Sequence, residues 1–161
     1  MLKPYAFAKF FILLIVVSAL SSCMVTRHVV SQTYAYDDDI SFNIQRIEEL
    51  NSIATGSGQY SPSKGNMFVA MYVTLKNASG EKKELNFNNF YLLDEATHTK
   101  YKLEFSMLQT AVNIWAKTDS KIDAHDTKKR RLVFVYPKKH LATLFMANEH
   151  IYPIEYHAVT K

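Results

Sequence analysis

Cysteine occurs once in this chain, tryptophan once, and glycine and proline four times each. A single cysteine allows no internal disulfide and leaves no cysteine pair on which a zinc site could rest. Four glycines give little from which to build a phosphate-cradling loop, and neither a Walker loop, a Gly-x-Gly-x-x-Gly turn nor a Gly-x-Ser-x-Gly elbow is present. Low-complexity segments and internal repeats are also missing, which argues against a solenoid or a linker-rich design. No apolar run reaches the roughly 20 residues that a helix needs to cross the hydrocarbon core.

What the chain has in quantity is large apolar side chains. Hydrophobic residues make up 48% of its 161 residues, and there are ten Tyr and ten Phe. Such a composition folds, and a length of this order suits one domain of roughly 100 to 200 residues. The formal charge is +4, but removing Lys3 and Lys9 from the 19 basic residues leaves 17 against 15 acidic ones. That near-neutral balance argues against a concentrated basic face for nucleic acid.

The N-terminus is tripartite. Met1 to Lys9 holds two lysines and no acid, Phe10 to Leu20 reads FFILLIVVSAL, and small residues then lead into Cys23. This is the layout of an export signal, with an apolar segment too short for a mature span. Leu20, Ser21, Ser22 and Cys23 resemble the bacterial lipobox, a Leu-type residue, two small residues and a cysteine. The resemblance implies cleavage before Cys23 and attachment of diacylglycerol to its sulfur, often followed by acylation of its amine. Two or three chains at about 0.8 kcal/mol per buried methylene would hold the protein at a membrane. The alternative is an uncleaved signal anchor in which Cys23 is incidental. Met24, not aspartate, follows the cysteine; by resemblance to enterobacterial sorting, this favours the outer over the inner membrane of a bacterial envelope.

Residues 24–39 show no apolar period and end in the acidic YAYDDD stretch. The expected organisation is therefore a signal peptide over 1–22, a flexible tether over 23–39 and one domain over 40–161. Asp37, Asp38 and Asp39 lack the spacing of a calcium loop and read as a solvated turn.

Within the domain, Ile40, Phe42 and Ile44 alternate with polar residues as in a half-buried strand. Asn51 to Lys64 reads as a long surface loop. Met67 to Leu75 (MFVAMYVTL) is apolar on both faces, as in a central strand. Asn77 to Gly80 supplies a turn, and strand-like segments recur around Leu85 to Phe87, Phe90 to Leu93 and Tyr101 to Phe105. Leu132 to Tyr136 is a strand stopped by Pro137, and apolar segments follow at Leu141 to Met146 and Ile151 to Val159. Ser106 to Trp115 fits either a helix or a strand. This spacing predicts an all-β, antiparallel sandwich or barrel.

Several landmarks resemble the telokin-like, immunoglobulin-like domains of bacterial secreted and lipid-anchored proteins. They are the strand Phe68 to Lys76 with Asn77 in a turn, the cluster Phe90, Leu92, Leu93 and Asp94, then Tyr101, and finally Leu132, Phe134 and Pro137. Together they span positions 68–137. The family usually has Pro-Gly-Glu where this chain has Ala124, His125 and Asp126. The resemblance implies an immunoglobulin-like β-sandwich with exposed loops, no catalytic machinery and no named ligand.

Candidate chemistry is sparse. The six histidines have no ligand-like spacing, and His125 with Asp123 and Asp126, like Glu149 with His150, reads as exposed loop. We expect no metal, no cofactor, no catalytic residue and no enzyme activity. Lys128, Lys129, Arg130 and Arg131 form the one basic run, read as a possible contact for anionic lipid or polysaccharide or as gatekeepers beside an apolar strand. Tyr60, Tyr72, Tyr91, Tyr101 and Trp115 could supply an aromatic contact surface. The expected function is a lipid-anchored, non-enzymatic module that binds an envelope protein or glycan and no nucleic acid; the alternatives are an accessory subunit of an envelope complex or a hydrolase.

Overall fold

A computed structural model of the protein describes residues 24–55, 58–109 and 120–158. Its strands are β1 Val25–His28, β2 Thr33–Ala35, β3 Ile40–Leu50, β4 Ile53–Thr55, β5 Gly58–Tyr60, β6 Asn66–Asn77 and β7 Lys83–Glu84. A short 3-10 turn, Phe87–Asn89, precedes β8 Phe90–Leu93, β9 Lys100–Leu108, β10 Lys121–Ile122, β11 Thr127–Pro137, β12 Leu144–Ala147 and β13 His150–Pro153. Every pairing is antiparallel, and the strand order is β1-β3-β6-β11-β9-β8-β12-β13, with β2 also on β3.

β9 turns one sheet into two layers. Its first residues pair with β8, from Tyr91↔Lys102 to Leu93↔Lys100, and its remainder pairs with β11, from Arg130↔Leu108 to Phe134↔Leu103. A register shift opposite Val133 and Phe134 marks the bend, as bulges do where a strand changes direction. At the opposite side, the Val30 N–H donates to Glu155 O at 2.8 Å and Val29 bridges Tyr156, so the C-terminal segment closes the sandwich against the chain after β1. The expected all-β antiparallel sandwich is the observed fold.

Alternation decides which side chains enter the core. On β6, Met67, Val69, Met71, Val73 and Leu75 point between the layers, and Phe68, Ala70 and Tyr72 point to the outer face. The inner side chains meet Phe42 and Ile44 of β3, Leu132 and Phe134 of β11, and Phe90, Leu92 and Phe145 of the second layer. Phe42 is central, with ring centroids of Tyr34 at 5.3 Å, Phe145 at 5.5 Å and Tyr152 at 5.8 Å. Aromatic pairs of this kind contribute about 0.5–1.5 kcal/mol each beyond burial.

Residues 24–36 are not a tether. Val25–His28 pairs with β3 from Val25↔Glu49 to His28↔Arg46, and Thr33–Ala35 pairs from Thr33↔Asn43 to Ala35↔Ser41. Val29, Tyr34 and Tyr36 are buried at 4%, 2% and 5% exposure. Two tyrosines spaced by two residues put both rings on one face of an extended chain, and that face is the core. The acid-rich part alone is a turn, where Asp37 Oδ1 accepts the N–H groups of Asp39 at 2.9 Å and Ile40 at 2.6 Å.

The stretch expected as a loop over 51–64 also departs from expectation. It contains the β4–β5 ribbon, paired from Ile53↔Tyr60 to Thr55↔Gly58, which lays Ile53 and Tyr60 on the outer face of the main sheet. Of the ambiguous stretch, Ser106 to Leu108 completes β9 as strand, and residues 110–119 lie outside the described ones.

Asn77, fully buried, holds together the loops at one end of the sandwich. Its Nδ2 donates to Glu81 O at 2.7 Å, Asp123 O at 3.1 Å and Ile122 O at 3.3 Å. Its Oδ1 accepts the Ser79 N–H at 3.0 Å and the Ser79 hydroxyl at 2.8 Å. At the other end, Asp94 is 3% exposed; its carboxylate accepts the Ala96 N–H at 2.9 Å and meets the His140 ring. Burial pushes that carboxyl up, but the hydrogen bonds from His140, Ala96 and Thr97 outweigh it and hold Asp94 below the usual aspartate range.

Candidate functional site

The outer face of the main sheet is where charged, aromatic and apolar side chains come together. Register places them in rows. Leu50, Phe68 and Val135 form the first row, and Glu48, Ala70, Val133 and Phe105 the second. Arg46, Tyr72, Arg131 and Met107 form the third. A bulge in β3 between Ile44 and Arg46 keeps Arg46 and Glu48 outward while Phe42 and Ile44 stay in the core.

The β4–β5 ribbon covers the apolar rows. The Tyr60 ring lies 5.3 Å from Phe68 and 6.4 Å from Phe105, and the Tyr60 hydroxyl donates to Glu104 Oε1 at 3.0 Å. That bond raises the Tyr60 hydroxyl pKa above the usual phenol value. Tyr60 itself remains 38% exposed.

The third row is organised around Tyr72. Its ring carries the Arg46 guanidinium carbon 3.6 Å from the centroid, with that of Arg131 5.9 Å away. Its hydroxyl donates to Glu48 Oε2 at 2.7 Å and accepts from Arg131 Nη1 at 3.3 Å. Glu48 Oε1 accepts Arg46 Nε at 3.0 Å, and Arg131 Nη2 lies 2.9 Å from Met107 Sδ. Burial lowers the Arg46 pKa, but the bonds to Glu48 and Tyr72 override it and keep the guanidinium charged. Arg46 thus pairs with Glu48 directly and Arg131 reaches the same carboxylate through the Tyr72 hydroxyl, and the Arg46 side chain is 36% exposed. A row with two guanidinium planes beside one tyrosine ring and a neighbouring aromatic ledge is chemically suited to holding an acidic or planar polar group.

The basic run does not form one patch. Lys128, Lys129, Arg130 and Arg131 lie on β11, and successive side chains of a strand point to opposite faces. Lys129 and Arg131 share the outer face, whereas Arg130 lies on the core side of β11, opposite Val73, and is 5% exposed. Lys128 follows Arg130 by the same alternation. Of the aromatic candidates, Tyr60 and Tyr72 both lie on the outer face, Tyr60 against Phe68 and Phe105; Tyr101 packs against the core with its ring 4.9 Å from Tyr136, and Tyr91 lies on the second layer. Trp115 lies outside the described residues, as do Leu20, Ser21, Ser22 and Cys23.

Arg46 and Glu48 were not singled out from sequence. Their signal is the pattern Arg46-Ile47-Glu48, in which two charged residues flank an inward Ile on a strand that is otherwise apolar at that period. His125 sits in the loop that Asn77 organises, with φ 57° and its N–H donating to Ser79 O at 3.1 Å. Asp123 pairs with Lys82 at 2.8 Å. Glu149 lies in the β12–β13 turn and His150 begins β13. Among the described residues, no group of three His, Cys, Asp or Glu is placed to hold a metal ion.

No protein-family model and no curated protein matches the chain. Its fold is shared by solved structures, among them two uncharacterized bacterial proteins. A conserved hypothetical protein from Bacillus anthracis is 17% identical, covering 83% of this chain and 96% of that one, with a TM-score of 0.59. An uncharacterized β-sandwich protein from Clostridium difficile 630 is 17% identical, covering 81% and 92% of the two chains, with a TM-score of 0.51.

Proposed function

We propose that this chain is a lipid-anchored module of the bacterial cell envelope that binds a protein or glycan partner without catalysing a reaction. The anchor is Cys23, diacylated on sulfur after cleavage between Ser22 and Cys23. The sandwich is of the telokin-like, immunoglobulin-like type, held at the outer membrane. The observation that carries the binding reading is the Arg46, Tyr72 and Arg131 row beside Tyr60 and Phe105 on one sheet face. It offers cationic planes and aromatic edges together, the residue types enriched where proteins meet partners. Acidic envelope glycans or acidic protein segments match its charge.

The test joins two measurements on the full chain expressed in a bacterium. Intact mass and detergent partitioning, wild type beside Cys23→Ala, should give a product that begins at Cys23 with acyl mass and loses it in the variant. A photo-cross-linking residue at Thr74, next to the row on the same face, should then capture an envelope partner. The adduct should vanish in Arg46→Ala with Arg131→Ala while the far-UV circular dichroism stays unchanged. An unmodified wild-type mass defeats the anchor; an adduct that survives in the folded double variant defeats the binding face.

A further inference from the structure

We infer that the end of the sandwich at which β1 begins is a seat for anionic phospholipid headgroups, so that the domain stands directly on the membrane; this rests on the reading that Cys23 is acylated. One residue, Met24, separates Cys23 from β1. Consecutive Cα atoms are about 3.8 Å apart, so Val25 lies within roughly 7 Å of the acylated residue. A lipid on Cys23 therefore keeps that end of the sheet close to the headgroup layer, and the side chains there decide whether it sits down on the headgroups.

The register identifies the other segments at this end. Val25 pairs with Glu49 near the end of β3, Leu50 with Phe68 near the start of β6, and Asn66 with Pro137 at the end of β11. The Lys138 N–H donates to Gly65 O at 3.0 Å, which ties the Lys64–Gly65 turn to the turn after β11. Val25, Glu49, Leu50, Asn51, Met67 and Lys138 also line one shallow depression of about 190 Å³.

The surface there has the chemistry of an interfacial contact. Met24, Val25 and Leu141 are 55%, 38% and 42% exposed, half of the six large hydrophobic side chains exposed among the described residues. Exposed Lys64, Lys138 and Lys139 accompany them. Of the acids at this end, Glu49 is held by Arg27 at 2.7 Å and Asp94 by His140, and Glu95 is exposed. The opposite end carries Asp37, Asp38, Asp39, Asp123 and Asp126 in its loops, with Lys83 on Asp39 at 2.6 Å and Lys82 on Asp123 at 2.8 Å. At the anchored end the lysines therefore stand beside the exposed apolar side chains, the combination that an anionic bilayer favours. Lysines reach headgroup phosphates while their stems and the three apolar side chains enter the boundary below. Each lysine near such a surface multiplies the seated population by about fivefold.

The full chain, purified from a bacterium with its acyl mass measured, is reconstituted into vesicles of phosphatidylethanolamine with phosphatidylglycerol that contain a lipid bearing a headgroup nitroxide. A fluorophore is placed at Leu141→Cys or, at the far end, at Ala78→Cys. The seat requires strong quenching at position 141 and none at position 78. It also requires loss of quenching at 141 in Lys64→Glu, Lys138→Glu, Lys139→Glu and in vesicles of phosphatidylcholine alone, with a partial loss in the milder Lys→Gln set. Acylated protein in which both positions are quenched alike, or in which the lysine variants quench as wild type does, overturns the seat and leaves the anchor standing. A product without acyl mass overturns the anchor, and the seat with it.

Discussion

Replacing Asn77 with alanine should be among the most damaging single changes to this fold that creates no large cavity. Two amide protons serve three carbonyls, and the amide oxygen accepts from both the N–H and the hydroxyl of Ser79, all at a residue with no exposed surface. At about 1 kcal/mol net for each well-formed bond, and with buried carbonyls left without a donor, the loss is about 3 kcal/mol. For a domain of this size that lowers Tm by about 10 °C, readable by far-UV circular dichroism during heating and urea unfolding. Asn77→Asp separates the donor role from the acceptor role. It keeps the acceptor for Ser79 but turns a carboxylate toward three carbonyl oxygens, so its folded pKa must rise above the ordinary value of about 3.9. A raised folded pKa means that the penalty is full above that pKa and disappears below the unfolded one, so the aspartate variant should gain stability on acidification. A loss below about 1 kcal/mol in the alanine variant, or an aspartate variant indifferent to pH, would refute the assignment of Asn77 as the donor that holds these loops.

Two further outcomes follow from the same fold. Asn148 and Glu149 form the two-residue connection between β12 and β13 with φ of 46° and 72°, both in the left-handed region. That is the geometry in which Asn-Gly is preferred, so Glu149→Gly should stabilise the protein by about 0.5–1 kcal/mol in urea unfolding, and a destabilised variant would contradict the turn. Burial pushes the Asp94 carboxyl up, but the bonds from His140, Ala96 and Thr97 together outweigh it and hold Asp94 below its ordinary value of 3.8. Its contribution is therefore complete above that value and is lost as pH falls through the lower folded one; Asp94→Asn should flatten this part of the acid limb of a stability–pH profile, and an unchanged limb would show that the pair does not matter.

The core strands were legible because their alternation is uninterrupted. Ile40 to Ile44, Met67 to Leu75 and Leu132 to Tyr136 became β3, β6 and β11, and Pro137 ends its strand as a residue without an N–H must. Residues 24–36 were misread because composition outweighed period: three aspartates and short strands hid the two-residue spacing of Tyr34 and Tyr36. The β4–β5 ribbon was hidden for a similar reason, since Ser, Thr and Gly can line the exposed side of a hairpin whose Ile53 and Tyr60 do the packing. The basic run was visible as charge, but its division between two faces becomes evident only once it is placed in a strand. Arg46, Glu48 and Arg131 meet across β3, β6 and β11, and no local pattern records pairing between segments so distant in sequence.

The placement of β1 also bears on how the molecule takes load. A pull on the chain at Met24 acts along the axis of β1, away from the direction in which the strand runs. β1 is matched residue for residue to β3 from Val25↔Glu49 to His28↔Arg46, so such tension would slide one strand past the other and strain those rungs together rather than open them one after another. β3 is in turn registered with β6 along nearly its whole length, from Ile40↔Asn77 to Leu50↔Phe68. Force entering at the N-terminal side is thereby spread into the middle of the sheet, and the start of β1 is mechanically the opposite of a hinge.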